Sequence, residues 1–381
     1  MIAATRAALD ALVGVLEARG HEVVAPVERD GAIVLDRVVD ADRLPIGVGV
    51  EQTPGRSRLS HDRAGRSFDW APTPPWTPVL HPPEVEVVRL RRASGELIVS
   101  GPEVPRRPFA LLGLRACDVR AIEILDRVLA VSGSSDPDWL ARRRDLIVIA
   151  VTCAAPASTC WCTSTGGGPL PERFDLRLTE LDTELDTELD TGLPTPTVEE
   201  PALLIEAGSA VGEEILEVLA DWVELRPASP EHHRAQRRLV AAAMASIDDT
   251  VPVDGLRTEP IDEHPHWDVV AERCVACGNC TSVCPTCFCV SILDHTDLAG
   301  DIVARRRTWA SCFELDHSVV GGQAVRATRA DRYRQWCMHK LVTWPEQFGT
   351  AGCVGCGRCT IACPVGIDLA AEVLALAGEQ P

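Results

Sequence analysis

The amino-acid sequence predicts an α+β protein, an N-terminal α/β domain followed by a helical, cysteine-rich C-terminal domain. Three observations carry that expectation. Two uninterrupted apolar runs, FALLGL at 109–114 and LIVIAV at 146–151, stand in the first half. Runs of that length suit strands buried on both faces. A helical pattern, DVRAIEILDRVLA, follows the first of them. Finally, twelve of the sixteen cysteines lie beyond residue 270, in two runs of identical spacing.

The elements follow in order. The opening MIAATRAALDALVGVLEARG reads as an amphipathic helix, with Leu9, Leu12, Val13 and Leu16 on one face and Gly20 closing it. Arg6, Asp10 and Glu17 interrupt what a secretory signal keeps apolar. Asp118 is placed to cap the helix after the first apolar run. A further strand is expected at 202–205 and a helix at 211–223. Between them TELDTELDTELDTG, residues 179–192, reads as an acidic, solvated insertion. The α/β domain is thus expected over 1–225. A helical linker at 226–268 carries one good helix and then the Pro- and Asp-rich VPVDGLRTEPIDEHPH. The cysteine-rich domain takes 269–381.

Composition narrows the function. Hydrophobic residues make up 46% and charged residues 24%, an ordinary globular balance, and the net charge is -19. That charge argues against nucleic-acid or anionic-membrane surfaces. No run of about 18 apolar residues exists to span a membrane. Dense cysteines without an export signal point to a reducing cytoplasm and to metal, not to disulfides.

Cys274, Cys277, Cys280 and Cys284 follow C-x2-C-x2-C-x3-C-P, ending on Pro285. Cys353, Cys356, Cys359 and Cys363 repeat it, ending on Pro364. Three thiolates on one tight loop reach three corners of an iron–sulfur cube, and the fourth, set apart by its longer spacer and the proline, ligates the other cluster. Cys274, Cys277, Cys280 and Cys363 are therefore expected on one 4Fe–4S cluster. Cys353, Cys356, Cys359 and Cys284 are expected on a second. Zinc ribbons use two separated C-x2-C pairs instead. Gly278 and Gly357 fill the same slot, as turn glycines or to let backbone N–H groups approach sulfides. Helices expected at 302–320, closed by Gly321-Gly322, and at 328–343, stopped before Pro345, make this a helical ferredoxin-type dicluster domain. The second helix carries Arg329, Arg332, Arg334 and Lys340, either a solvated basic face or cations near a cluster.

Four cysteines remain in the α/β part: Cys117, and Cys153, Cys160 and Cys162 in CAAPASTCWC. Cys117 and Cys153 come just after expected buried strands, and ligand sites form outside the carboxyl ends of strands in open α/β sheets. The four suffice for a third 4Fe–4S cluster or for a zinc held by four thiolates, with Gly166-Gly167-Gly168 folding over it; small buried hydrophobes are the bland alternative. Cys287, Cys289, Cys312 and Cys337 are expected to pack near clusters, not to ligate them.

CVACGNCTSVCPTCFC and RTWASCFELDHSVVGGQAVRATRADRYRQWCMHK, leading into GCVGCGRCTIACPVGID, resemble the β subunit of cytoplasmic NAD(P)-linked NiFe hydrogenases, or sulfhydrogenases. The electron-transfer component of anaerobic sulfite reductase is closely similar. GLRACDVRAI and CAAPASTCWC match as well, so the resemblance runs from about residue 80 onward and is most specific over 270–370. It implies an iron–sulfur wire without substrate chemistry of its own. Its implied partners are, on one side, a flavin NAD(P)H-binding subunit; on the other, they are the hydrogenase small and large subunits. It also implies an additional cluster on Cys117, Cys153, Cys160 and Cys162. Trp161 stands where the TCFC form has Phe, and the tetrapeptide repeat departs from the pattern.

No G-x-G-x-x-G after a strand, P-loop, H-E-x-x-H or nucleophile elbow occurs. A chain without its own nucleotide site must exchange electrons through partners. The competing reading is an enzyme that uses a cluster or a thiol such as Cys312 directly. A catalytic cluster usually lacks one cysteine ligand, and neither run does.

Overall fold

A computed structural model describes the chain except residues 62–65, 71–74, 94, 102–106, 132, 182–201, 248–249, 258–260 and 379–381. Most of the tetrapeptide repeat lies outside the described residues. Its first three, Thr179 to Leu181, end a strand.

The fold is α+β, as the sequence predicts. Its main sheet has eight strands, in the order Arg226–Pro227, Ile2–Ala4, Ala202–Ala207, Leu176–Leu181, Ile147–Val151, Phe109–Leu114, Glu22–Arg29, Ala32–Arg37. The four from Leu176–Leu181 to Glu22–Arg29 are parallel, and the strands flanking them run antiparallel. The two apolar runs are adjacent central strands. Ala110 and Leu112 face one layer while Leu111 and Leu114 face the other, so neither face is left to water.

Helices Ala7–Ala18 and Ala210–Leu219 cover the first face with Leu9, Leu12, Leu16, Ile215 and Leu219. Helix Ala116–Leu129 covers the second with Val119, Ile122 and Leu125. Asp118 is at the third position of that helix, not its cap. Its carboxylate accepts from the backbone N–H of Arg115, which holds the cap position. Helix Pro230–Ala245 packs Ala235 and Leu239 on Ala3, Leu181 and Leu204.

The spacer between the cysteine runs departs from expectation. Residues 302–320 are not a helix. Ile302–Trp309 is a strand, IVARRRTW, in a four-stranded antiparallel sheet ordered Val290–Thr296, Ile302–Trp309, Glu84–Ala93, Glu96–Ser100. Its β-branched start and alternating burial suit a strand, and chain from the first half supplies the partner. Gly321 and Gly322 do not end a helix. Both take positive φ, 60° and 81°, in the turn joining Val319–Val320 to Gln323–Ala324, the conformation a tight hairpin turn needs. The second helix does form, as Arg329–Met338 capped by Thr328, continued by a π-turn at His339–Thr343. It does not stop before Pro345. Pro345 enters the first turn of Trp344–Phe348, where its missing N–H has no partner to lose.

Among the described residues, no helix is long and apolar enough to cross a membrane.

Candidate metal centres

The two cysteine runs fold alike. Helix His266–Arg273 delivers Cys274, and the chain then takes positive φ at Ala276 (53°) and Gly278 (75°) before the short helix Asn279–Ser282. In the second run Gly355 (61°) and Gly357 (70°) do the same before Arg358–Ala362. Each turn aims a backbone N–H at the first cysteine. Ala276 N donates to Cys274 Sγ and Gly355 N to Cys353 Sγ, both at 3.4 Å. The two short helices pack on one another.

That packing interleaves the thiols. One cavity is lined by Cys274, Cys277, Cys280 and Cys363, among Phe313, Tyr333 and Trp336. A neighbouring one is lined by Cys284, Cys353, Cys356 and Cys359, among Trp161, Trp336, Lys340 and Arg358. Cys359 and Trp336 line both. Burial pushes the Cys353 thiol up to about 12, with the nearby Cys284 thiol adding to it. Cys284 is held well below the ordinary thiol range, first by a hydrogen bond with Cys287, which is itself raised well above it. Cys287 thus attends Cys284. Cys312 follows the strand Ile302–Trp309, and Cys337 is buried in the helix among Tyr333, Trp336 and Leu341. Cys289 faces a polar cleft beside Ser311 and Glu314.

The four N-terminal cysteines come together against the second run. Cys117 opens helix Ala116–Leu129 and Cys153 follows Ile147–Val151, at the carboxyl ends of adjacent parallel strands. A bulge at Gly113, φ 89°, re-aims the chain just before Arg115 and Cys117. The loop carrying Cys160 and Cys162 lies on the second run: Trp161 N donates to Gly355 O at 2.8 Å, and Cys160 Sγ is 3.9 Å from Cys356 O. Burial, then the neighbouring thiols, raises Cys160 to about 12 and Cys162 to about 11. Burial, then the Asp118 carboxylate, raises Cys117. Gly357 is fixed by this contact, since a Cβ there would run into Thr159.

Three buried cations attend these thiols, and sequence reasoning missed two of them. Arg115, 2% exposed, donates to Cys153 Sγ at 2.8 Å and to the carbonyls of Phe68, Trp70 and Ala155, with no carboxylate partner among the described residues. Arg358 pairs with Asp118 at 2.5 Å, across from the second run to the N-terminal helix. Lys340, 3% exposed, donates to Thr286 Oγ1 at 3.0 Å. Arg329 donates to Cys274 O, Arg332 to the carbonyls of Arg326 and Ala327, and Arg334 to Asp262 O, so this helix is not a bare basic face.

The lining fits an inorganic sulfide-bearing group. Trp161 Nε1, Trp336 Nε1 and Tyr333 Oη are buried without a protein partner, on residues that line the two cysteine cavities. Buried donors are ordinarily satisfied. Sulfides and thiolates would supply the acceptors. Among the described residues no three His, Cys, Asp or Glu side chains converge on one ion position; the thiols surround a space instead.

Residues 273–367 match the family model of the 4Fe-4S dicluster domain. The chain is also 31% identical over 264 residues to Sulfhydrogenase 2 subunit beta of Pyrococcus furiosus, covering 68% of this chain and 71% of that protein. The chain belongs to the sulfhydrogenase β-subunit family. It is a hydrogenase β-type iron–sulfur subunit for electron transfer, carrying 4Fe–4S clusters in its C-terminal part. In this β-type subunit the matched dicluster segment contains all eight cysteines of the two runs.

Proposed function

We propose that the protein is a three-cluster relay, working in the cytoplasm. On one side it would meet a flavin NAD(P)H-binding subunit; on the other, the small and large subunits of a NiFe hydrogenase. Cys274, Cys277, Cys280 and Cys363 hold one 4Fe–4S cluster. Cys353, Cys356, Cys359 and Cys284 hold the second. Cys117, Cys153, Cys160 and Cys162 hold the third. When bound, these cubes supply one-electron redox chemistry.

The observation that carries the reading is the sorting of the eight C-terminal thiols into two cavities, each taking three cysteines from one run and one from the other. Support for the third set comes from Arg115. A buried guanidinium without a carboxylate calls for an anion beside it. Four thiolates on iron carry that charge next to Cys153.

The arrangement also orders the sets. Cys359 and Trp336 stand between the first and second, and Cys356 with the Trp161 loop stands between the second and third. The second is the middle station. At one end Cys277 is exposed. At the other, Cys117 and Cys162 line an open cavity of about 260 Å³ with Arg120, Glu123 and Glu172. Such ends suit exchange with two different partner proteins, the protein itself only holding the stations apart and excluding water.

The test is iron and sulfide analysis of the anaerobically purified chain with the Cys284→Ala variant beside it. About twelve irons per chain are expected, and about eight if the N-terminal set holds none. C284A is expected to damage the cluster of Cys353, Cys356 and Cys359. Loss of the Cys274 cluster alone would contradict the crossed pairing.

A further inference from the structure

The cations are unevenly placed. No Lys or Arg lines the cavity of Cys274, Cys277, Cys280 and Cys363. Two line that of Cys284, Cys353, Cys356 and Cys359. One of them, Arg358, is neutralised by Asp118. The other, Lys340, has no carboxylate within 4 Å among the described residues, and its ammonium lies over the Trp344 ring at 5.7 Å.

A single hydroxyl links it to a cysteine. Thr286, fully buried, has Oγ1 at 3.0 Å from Lys340 Nζ, 2.7 Å from Gly352 O and 3.2 Å from Cys284 Sγ. The hydroxyl has one hydrogen and two acceptors for it, the Gly352 carbonyl and Cys284. A thiolate is the stronger acceptor. When Cys284 is a thiolate the hydrogen turns to it, and Lys340, 3.5 Å from Gly352 O, can serve the carbonyl left behind. The ammonium thus does two things: it places positive charge beside the second set and frees a hydrogen bond for Cys284.

We propose that Lys340, acting through Thr286, is a positioning residue that raises the midpoint potential of the cluster held by Cys284, Cys353, Cys356 and Cys359 above that of the Cys274 cluster. Reduction adds an electron to an already anionic group. A buried cation and a hydrogen bond to a ligand sulfur both favour the more negative state. The middle station then becomes the place where an electron rests. The inference depends on the ligand pairing proposed above.

The test is a redox titration by EPR on the full-length protein, purified without oxygen with the subunits it carries. In Lys340→Gln, iron and sulfide are expected unchanged, and one signal alone is expected to shift to lower potential. At fixed ambient potential its reduced-to-oxidised ratio falls about tenfold, ~59 mV for a one-electron couple. Lys340→Arg, which keeps the charge, restores most of the shift. If K340Q loses the cluster, Thr286→Val carries the test, since it keeps the ammonium and removes the hydroxyl; the same signal should move down. Full iron with unmoved midpoints in K340Q, or in T286V where K340Q loses iron, overturns the inference. If instead C284A spares the cluster of the second run, it is the pairing that has failed.

Discussion

Gly355→Ala tests how the N-terminal loop is joined to the second cysteine run. Gly355 has φ 61°, and a Cβ there would stand 2.6 Å from Cys162 Cα, 2.6 Å from Trp161 O and 2.7 Å from Cys162 N. All three atoms are backbone, so no side chain can swing aside. The left-handed conformation costs a non-glycine residue about 1–2 kcal/mol. Overpacking adds about 1–3 kcal/mol. The Trp161 N–H to Gly355 O bond, lost if the loop lifts, adds about 1 kcal/mol. The sum, about 2–5 kcal/mol, is a large part of an ordinary domain's stability of about 5–15 kcal/mol. The first run contains its own control. Ala276 already holds the equivalent slot at φ 53° with a Cβ. The conformation alone is therefore tolerated, and the penalty at 355 comes chiefly from the loop lying on it. Ala276→Gly should change stability by no more than about 1 kcal/mol. The assay is iron and sulfide content together with urea unfolding. G355A is expected to lose iron from the N-terminal and second sets while the Cys274 set keeps its own. Full iron and an unchanged unfolding midpoint would refute the reasoning.

What the sequence disclosed tracks how local the determining physics is. The apolar runs at 109–114 and 146–151 were legible because a strand buried on both faces has no polar alternation to disguise it, and both became central strands. The cysteine runs were legible because a cube dictates the spacing of its ligands within one loop. The segment 302–320 misled because its neighbours are remote: Ile302–Trp309 is a strand only in the company of Glu84–Ala93, more than two hundred residues earlier. Pro345 misled because proline breaks a helix interior but suits a first turn. Arg115 and Arg358 gave no signal at all. Nothing in an isolated arginine says that folding will bury it, and only the assembled structure sets one beside Cys153 and the other on Asp118.

The strand that sequence reasoning missed supplies a further prediction. Arg307, 7% exposed, pairs with Asp136 and with Asp138 (3.2 Å), tying the small sheet to the helix Pro137–Arg143. Arg307→Met strands two carboxylates and should cost about 3–5 kcal/mol in urea unfolding. Arg305→Ala breaks only the exposed pair with Asp294 and should cost less than about 1 kcal/mol; equal losses would refute the distinction. Stability should also depend on pH through His81. It is 1% exposed, neither ring nitrogen has a protein partner, and burial followed by the Arg307 charge lowers it to about 4 from an ordinary 6.5. His339, lowered to about 4 by burial and then by Lys340, acts in the same direction. The unfolded chain binds the proton first, so folding loses ground as pH falls below 6.5 and the loss levels off below about 4. Each pK unit is worth about 1.4 kcal/mol, so full loss of the His81 contribution is of order 3 kcal/mol. Carboxylates titrate nearby, and the measurement is therefore a difference: urea midpoints of the unmodified chain and His81→Leu between pH 7 and 4. The variant's curve should be flatter across that window. Parallel curves would mean that His81 is already protonated or solvated in the folded protein, and that the Arg307 charge beside it is screened from the ring.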